Sequence, residues 1–202
     1  MNVTGESVDA IRELINIGVG RAAGLLNDMT GTHIRLEVPE VRVLRYTDLP
    51  REDRLVDGSR LSAVTLMFRG PFSGMSMLLF PDKSAAVLIA ALTGEKIEEG
   101  DLDALRIETL NEVGNIVNNA VMGSITNVLG ERLVYSMPEF REGSITDIMG
   151  ESRSGAYDWV ILAVSQFTIE DLWVVGNILM IFEIGALDRL LEKIGAVTGT
   201  SP

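Results

Sequence analysis

Apolar residues between Val8 and Ala22 recur at three- and four-residue intervals: Val8, Ile11, Ile15, Gly18 and Ala22. Advancing about 100° per residue places them in one stripe and turns Asp9, Glu13, Asn16 and Gly20 outward. A second segment repeats the pattern, with Ile107, Leu110, Val117, Val121 and Ile125 close to Gly114 on the wheel and Glu108, Glu112, Asn115 and Asn119 opposite. The spacing predicts long amphipathic helices at about 5–30 and 101–130. Runs rich in Val, Ile, Leu and aromatics predict strands at 33–44, 61–69 and 73–81, then at 131–140, 156–167 and 174–185. Shorter helices follow at about 83–93 and 186–194. Met67, Met75, Met77 and Met180 lie on these strands and are expected in the core.

The order of elements is written twice. At an offset of 99 residues Glu13 meets Glu112, Asn16 meets Asn115, Ile17 meets Ile116, and Gly24 meets Gly123. Gly31, Pro39 and Glu40 likewise meet Gly130, Pro138 and Glu139. Farther on the offset drifts to 101, where Gly94 meets Gly195. The expected unit is therefore one domain over 1–202, built of two repeats at about 5–95 and 101–196. Between them 93–103 reads as an exposed charged linker, while LRYTDLPREDRLVDGSR and EGSITDIMGESRSG read as polar loops. Strand-to-strand connections are too short for helical crossovers, so the fold class is α+β, pseudo-twofold, with a mostly antiparallel sheet and the two long helices on its surface.

Charge and composition narrow the chemistry. A net charge of −12 argues against nucleic acid as a partner. The sequence has no cysteine and one histidine, His33, so thiolate metal sites and Ser–His catalysis are not expected. No apolar run approaches the roughly 18–20 residues that span a bilayer, and the start has no signal-peptide pattern; no membrane contact and a cytoplasmic location are expected. Walker and nucleophile-elbow motifs are lacking too.

What stands out is amide-bearing helix surface. RIETLNEVGNIVNNAVMGSI holds Asn111, Asn115, Asn118 and Asn119, although asparagine is a mediocre helix former. Exposed Glu on a helix is ordinarily solvation and a single exposed Asn a small propensity loss. An identical Glu-x-x-Asn at corresponding positions of two otherwise diverged halves, Glu13 with Asn16 and Glu112 with Asn115, shifts the balance toward function.

At these residues the chain resembles the CheC phosphatase family of the chemotaxis CheC/CheX/FliY group. The shared pattern is an acidic residue or Ser, three residues, Glu, two residues, Asn, then a Pro after some 22 more. It occurs as Asp9…Glu13…Asn16…Pro39 and as Glu108…Glu112…Asn115…Pro138, with Glu108 where Asp or Ser is usual. Two motifs in about 200 residues resemble the CheC branch more than CheX-like members, which are shorter with one intact motif, or FliY, which carries a further flagellar-switch domain.

The resemblance implies a hydrolase: a phosphatase acting on the phospho-aspartate of a CheY-type response regulator in two-component signalling. Glu13, Asn16, Glu112 and Asn115 would be catalytic; from their outward places on the same helices, Asp9, Glu108, Gly20 and Asn119 are expected to bind the partner. No intrinsic cofactor or metal is implied, since the regulator supplies Mg. The receptor deamidase CheD is a second implied partner, with the loop containing Asp147 a weak candidate for its interface. Pro39 and Pro138 are expected to shape strands, while Gly18 and Gly20 either admit a partner or serve packing. The rival reading is a non-catalytic adaptor for CheD or another signalling partner.

Overall fold

The computed structural model describes residues 3–52, 60–94, 104–149 and 156–198; most of the expected linker lies outside them. Helix α1 spans Gly5–Thr30, opened by the Thr4 side chain accepting from Ser7 N–H and closed by Gly31 at φ 68. Such a left-handed cap costs glycine no Cβ clash. Strand β1 (Ile34–Arg45), a 3-10 turn (Tyr46–Arg51), β2 (Leu61–Arg69), β3 (Gly74–Pro81) and α2 (Asp82–Thr93) complete the first half. The second half contains α3 (Ala104–Leu129), β4 (Val134–Tyr135), β5 (Glu139–Gly143), α4 (Ile145–Met149), β6 (Tyr157–Ile169), β7 (Leu172–Glu183) and α5 (Ala186–Thr198).

The strands form one antiparallel sheet in the order β1–β6–β7–β3–β2–β4, with β5 also beside β2. From either edge the order reads alike: a first strand of one half, then the second and third strands of the other. The central strand β3 is buried almost end to end because both its faces are covered. Leu78 and Phe80 face a large core shared with all four longer helices. Met75, Met77 and Leu79 face a smaller core on the opposite side.

Three expectations need correction. The strand expected over 131–140 is broken into β4 and β5 around Ser136–Pro138. Pro138 has no N–H to offer a ladder, and Ser136 loops out instead: its N–H donates to Met67 O and its hydroxyl accepts from Met67 N–H, each at 3.0 Å. The two segments read as polar loops carry the 3-10 turn and α4, whose Tyr46, Leu49, Ile145, Ile148 and Met149 build the second core. Finally, α5 continues past Gly195, so that glycine does not end its helix as Gly94 does at φ 75. Met75, Met77 and Met180 are buried as expected, and Met67 packs against the smaller core.

Helices α1 and α3 lie side by side on the sheet. The Ser124 hydroxyl donates to Leu14 O, and a Cβ on Gly18 would stand 2.5 Å from Val121 Cα. Leu14 meets Ser124 and Gly18 meets Val121, so the helices run antiparallel. Gly18 is thus a packing residue. Gly114 has the same role against the sheet, where a Cβ would approach Val64 Cβ to 2.3 Å. Gly24, by contrast, is exposed with nothing within 4 Å of a built Cβ. Gly24→Ala is therefore expected to raise unfolding stability by about 0.5–1 kcal/mol through the lost backbone entropy of glycine. Urea titration checks this, and a destabilised variant would contradict it.

Candidate active site

The helical period and the two cores together decide which side chains reach solvent. On α1 Asp9, Glu13 and Gly20 are exposed and Asn16 is half-buried; on α3 Glu108, Glu112 and Asn119 are exposed and Asn115 is half-buried. Glu and Asn three residues apart share a helical face in each case. Neither Glu13 nor Glu112 has an ion-pair partner among the described residues, whereas Asp9 pairs with Arg12 at 2.9 Å. That exposed pair contributes little stability.

The two amides are held differently. Asn16 Nδ2 donates to Val38 O at 3.3 Å, and its Oδ1 accepts from Val38 N–H at 3.0 Å. The local sequence explains this clamp. Pro39 cannot donate to a ladder, and the β1–β6 register jumps between Glu37↔Gln166 and Glu40↔Val164. Val38 sits in that bulge on an edge strand, and α1 lies over it. Each end of the Asn16 amide is therefore engaged once by backbone, which leaves one lone pair and one donor hydrogen.

Asn115 makes no such bond. Met137, at the position corresponding to Val38, is 85% exposed in the β4–β5 break. Asn115 Oδ1 instead accepts from Asn119 Nδ2 at 2.6 Å, and its Nδ2 has no hydrogen-bond partner among the described residues. A carboxamide oxygen has two lone pairs, so one acceptor site and two donor hydrogens of Asn115 have no partner among the described residues. The N-terminal seam lies between α1 and edge strand β1. The C-terminal one lies on α3, which also packs against β2 and β3.

Of the remaining asparagines on α3, Asn118 is fully buried. Its Oδ1 accepts from Ser76 Oγ at 2.8 Å and its Nδ2 donates to Val64 O at 3.2 Å, tying the helix to β3 and β2. Composition alone could not separate this structural amide from its exposed neighbours, although its place beside the apolar stripe hints at burial. Asn111 Oδ1 is buried with no hydrogen-bond partner among the described residues, and nothing in the structure explains it. Asp147 is exposed and caps α4, accepting from Ser144 Oγ at 2.6 Å and Ser144 N–H at 2.9 Å. The hydroxyl bond first, and the backbone bond second, hold its carboxyl below the usual range. Among the described residues no helix is long and apolar enough to cross a membrane, and no three His, Asp or Glu side chains are grouped to hold a metal ion.

An outward amide one helical turn from an unpaired carboxylate can hold a water and meet a cation on another molecule. No family model matches the chain. It is similar to the CheY-P phosphatase CheC of Bacillus subtilis, 28% identical over 142 residues, covering 66% of this chain and 65% of that protein. The match thus spans just under two thirds of that relative. Among solved structures, Thermotoga maritima FliY has a TM-score of 0.77 at 20% identity over 100% of both chains. A complex of CheX with CheY, BeF3 and Mg from Borrelia burgdorferi gives a TM-score of 0.54 at 18% identity, covering 85% of this chain and 99% of that one.

Proposed function

We propose that this chain, a member of the CheC/CheX/FliY family, hydrolyses the acyl phosphate on the aspartate of a CheY-type response regulator in the chemotaxis pathway of the cytoplasm. The observation that carries the proposal is an exposed Glu three residues before a half-buried Asn on each of two packed helices, with neither glutamate in an ion pair among the described residues. Residues of about 5–95 and 101–196 are taken as repeats of a single domain. Two helices of 26 residues each, left-handed glycines at Gly31 and Gly130, and the palindromic strand order support that.

The chemistry needs little from the protein. Water attacks phosphorus, the bond to the aspartyl oxygen breaks, the carboxylate departs, and inorganic phosphate and a proton are released. The regulator brings Mg and a cation that neutralise the transferring group. What must be added is a water fixed in line. The amide of Asn115, and that of Asn16 once released from Val38, accepts a hydrogen bond from that water and lowers the entropic part of the barrier. Glu112 and Glu13 dock the regulator by pairing with its lysine. The carboxylates lie exposed on open helix surface, which favours docking over general-base work.

Phosphate release from an acyl-phosphorylated CheY-type regulator tests the proposal; turnover no faster than the regulator's own hydrolysis would refute it. Docking makes a further expectation. Glu112→Lys should raise KM about tenfold or more with little change in kcat, the loss of one attraction plus a new repulsion between like charges. A fall in kcat at unchanged KM would assign the carboxylate to proton transfer instead.

A second reading has one observation in its favour. Because both ends of the Asn16 amide are engaged by Val38, α1 could act purely as a binding face. The chain would then be an adaptor for a partner such as the deamidase CheD. The turnover assay separates the two.

A further inference from the structure

We infer that Asn119 is a positioning residue of the C-terminal site, setting which end of the Asn115 amide faces the reacting water. The inference rests on the proposed phosphatase reading and extends it to a residue outside the Glu-x-x-Asn pair. Asn119 lies one turn beyond Asn115 on α3, is exposed, and donates through Nδ2 to Asn115 Oδ1 at 2.6 Å. Nothing in the packing of α3 accounts for it: its side chain faces solvent, where Ala or Lys would favour the helix more. Its bond to Asn115 is its one side-chain hydrogen bond among the described residues.

An isolated asparagine amide is nearly two-fold about its last torsion, so oxygen and nitrogen exchange places at little energetic difference. The bond to Asn119 couples the two amides, and in the arrangement the structure shows Asn119 is the donor. With Asn119 N–H on one lone pair, Asn115 Oδ1 stays toward Asn119 and keeps its second lone pair for water, while Nδ2 stays on the other side to donate to a phosphoryl oxygen. The N-terminal motif solves the same problem by other means. Gly20 stands where Asn119 does, with nothing within 4 Å of a built Cβ, and the orienting groups come from the Val38 backbone. Each amide thus has its own orienter, a clamp closed on both ends at Asn16 and a single donor at Asn115. The latter leaves the amide freer to turn toward a partner.

The test uses the full chain in an Asn16→Ala background, so that the C-terminal site alone is read, with an acyl-phosphorylated CheY-type regulator as substrate. Asn119→Leu keeps the shape and removes the donor; Asn119→Asp keeps the shape and turns the donor into an acceptor; Asn119→Gln keeps a donor. Both Leu and Asp variants are expected to lower kcat about tenfold, the worth of one orienting hydrogen bond, with KM unchanged for Leu. The kcat loss in Asp should persist at high salt, which relieves any charge repulsion, and Gln should recover most of the rate. Wild-type kcat in Asn119→Leu overturns the inference, as does Asn119→Asp matching or exceeding the parent, since the bond would then run from Asn115 to Asn119. If Asn115→Ala is itself fully active in this background, the phosphatase reading fails and not merely the role of Asn119.

Discussion

Asn115→Ala is expected to lower phosphate release from an acyl-phosphorylated regulator about tenfold, and the double variant with Asn16→Ala about a hundredfold, the scale of losing a positioned reactant. Asn16→Ala alone should change turnover by less than twofold. The inequality comes from what each amide must give up before it can hold water. Among the described residues Asn115 has a free lone pair and an Nδ2 without a hydrogen-bond partner. Asn16 keeps one lone pair and one donor hydrogen too, but its amide can turn toward a bound phosphate only by releasing two backbone bonds to Val38, each contributing about 0.5–1.5 kcal/mol net, so its released form is populated some ten- to a hundredfold less. By the same arithmetic Asn16→Ala should cost about 1–3 kcal/mol of stability, because the bulge at Val38 loses its clamp. Equal activity losses for the two single variants, measured side by side with urea midpoints, would show that the clamp does not govern access.

That asymmetry lay outside the reach of the sequence, for a physical reason. Helical periodicity fixes which residues share a face, so the exposure of Glu13, Glu112 and Asn119 could be read from spacing alone. So could the ends of α1: Thr4 and Gly31 are a capping side chain and a left-handed stop, both local chemistry. The Asn16–Val38 bond joins residues 22 apart through a bulge, and needs the tertiary placement of α1 over β1. Helical spacing also puts Gly18 in the apolar stripe and Gly20 outward, but only the packing shows that the first lies against Val121 while the second faces open space. The break at Ser136–Pro138 is hidden by the strand-like content of ERLVYSMPEF; Pro138 is the one local sign of it, and the bonds from Ser136 to Met67 that complete it are tertiary. The short helices under the sheet were masked by the charged residues around Tyr46, Leu49, Ile145 and Ile148. A few apolar side chains spaced for one turn carry little periodic signal, and their burial depends on a sheet face formed by distant strands.

The four asparagines of α3 divide between architecture and chemistry, and Asn118→Ala is the substitution that separates them. Asn118 is buried and bridges two strands, accepting from Ser76 Oγ and donating to Val64 O. Truncation leaves a buried hydroxyl without its acceptor, removes one bond to a buried carbonyl, and opens a small void. Unsatisfied buried polar groups cost about 1–3 kcal/mol each, so a loss of about 3 kcal/mol is expected. For a domain of this length that corresponds to a fall in Tm of about 6–12 °C. Asn118 faces the sheet and not the solvent, so turnover per folded molecule at a temperature well below the transition should stay within twofold of the parent. Asn115→Ala should show the opposite signature, with Tm nearly unchanged and turnover lost, since its side chain is half-exposed and its one bond is to a surface residue. Calorimetry and phosphate release on the same two preparations decide the matter. Were Asn118→Ala to keep its Tm and lose activity, the division between buried amide and working amide would be wrong. The outward face of α3 would then not be where the water is held.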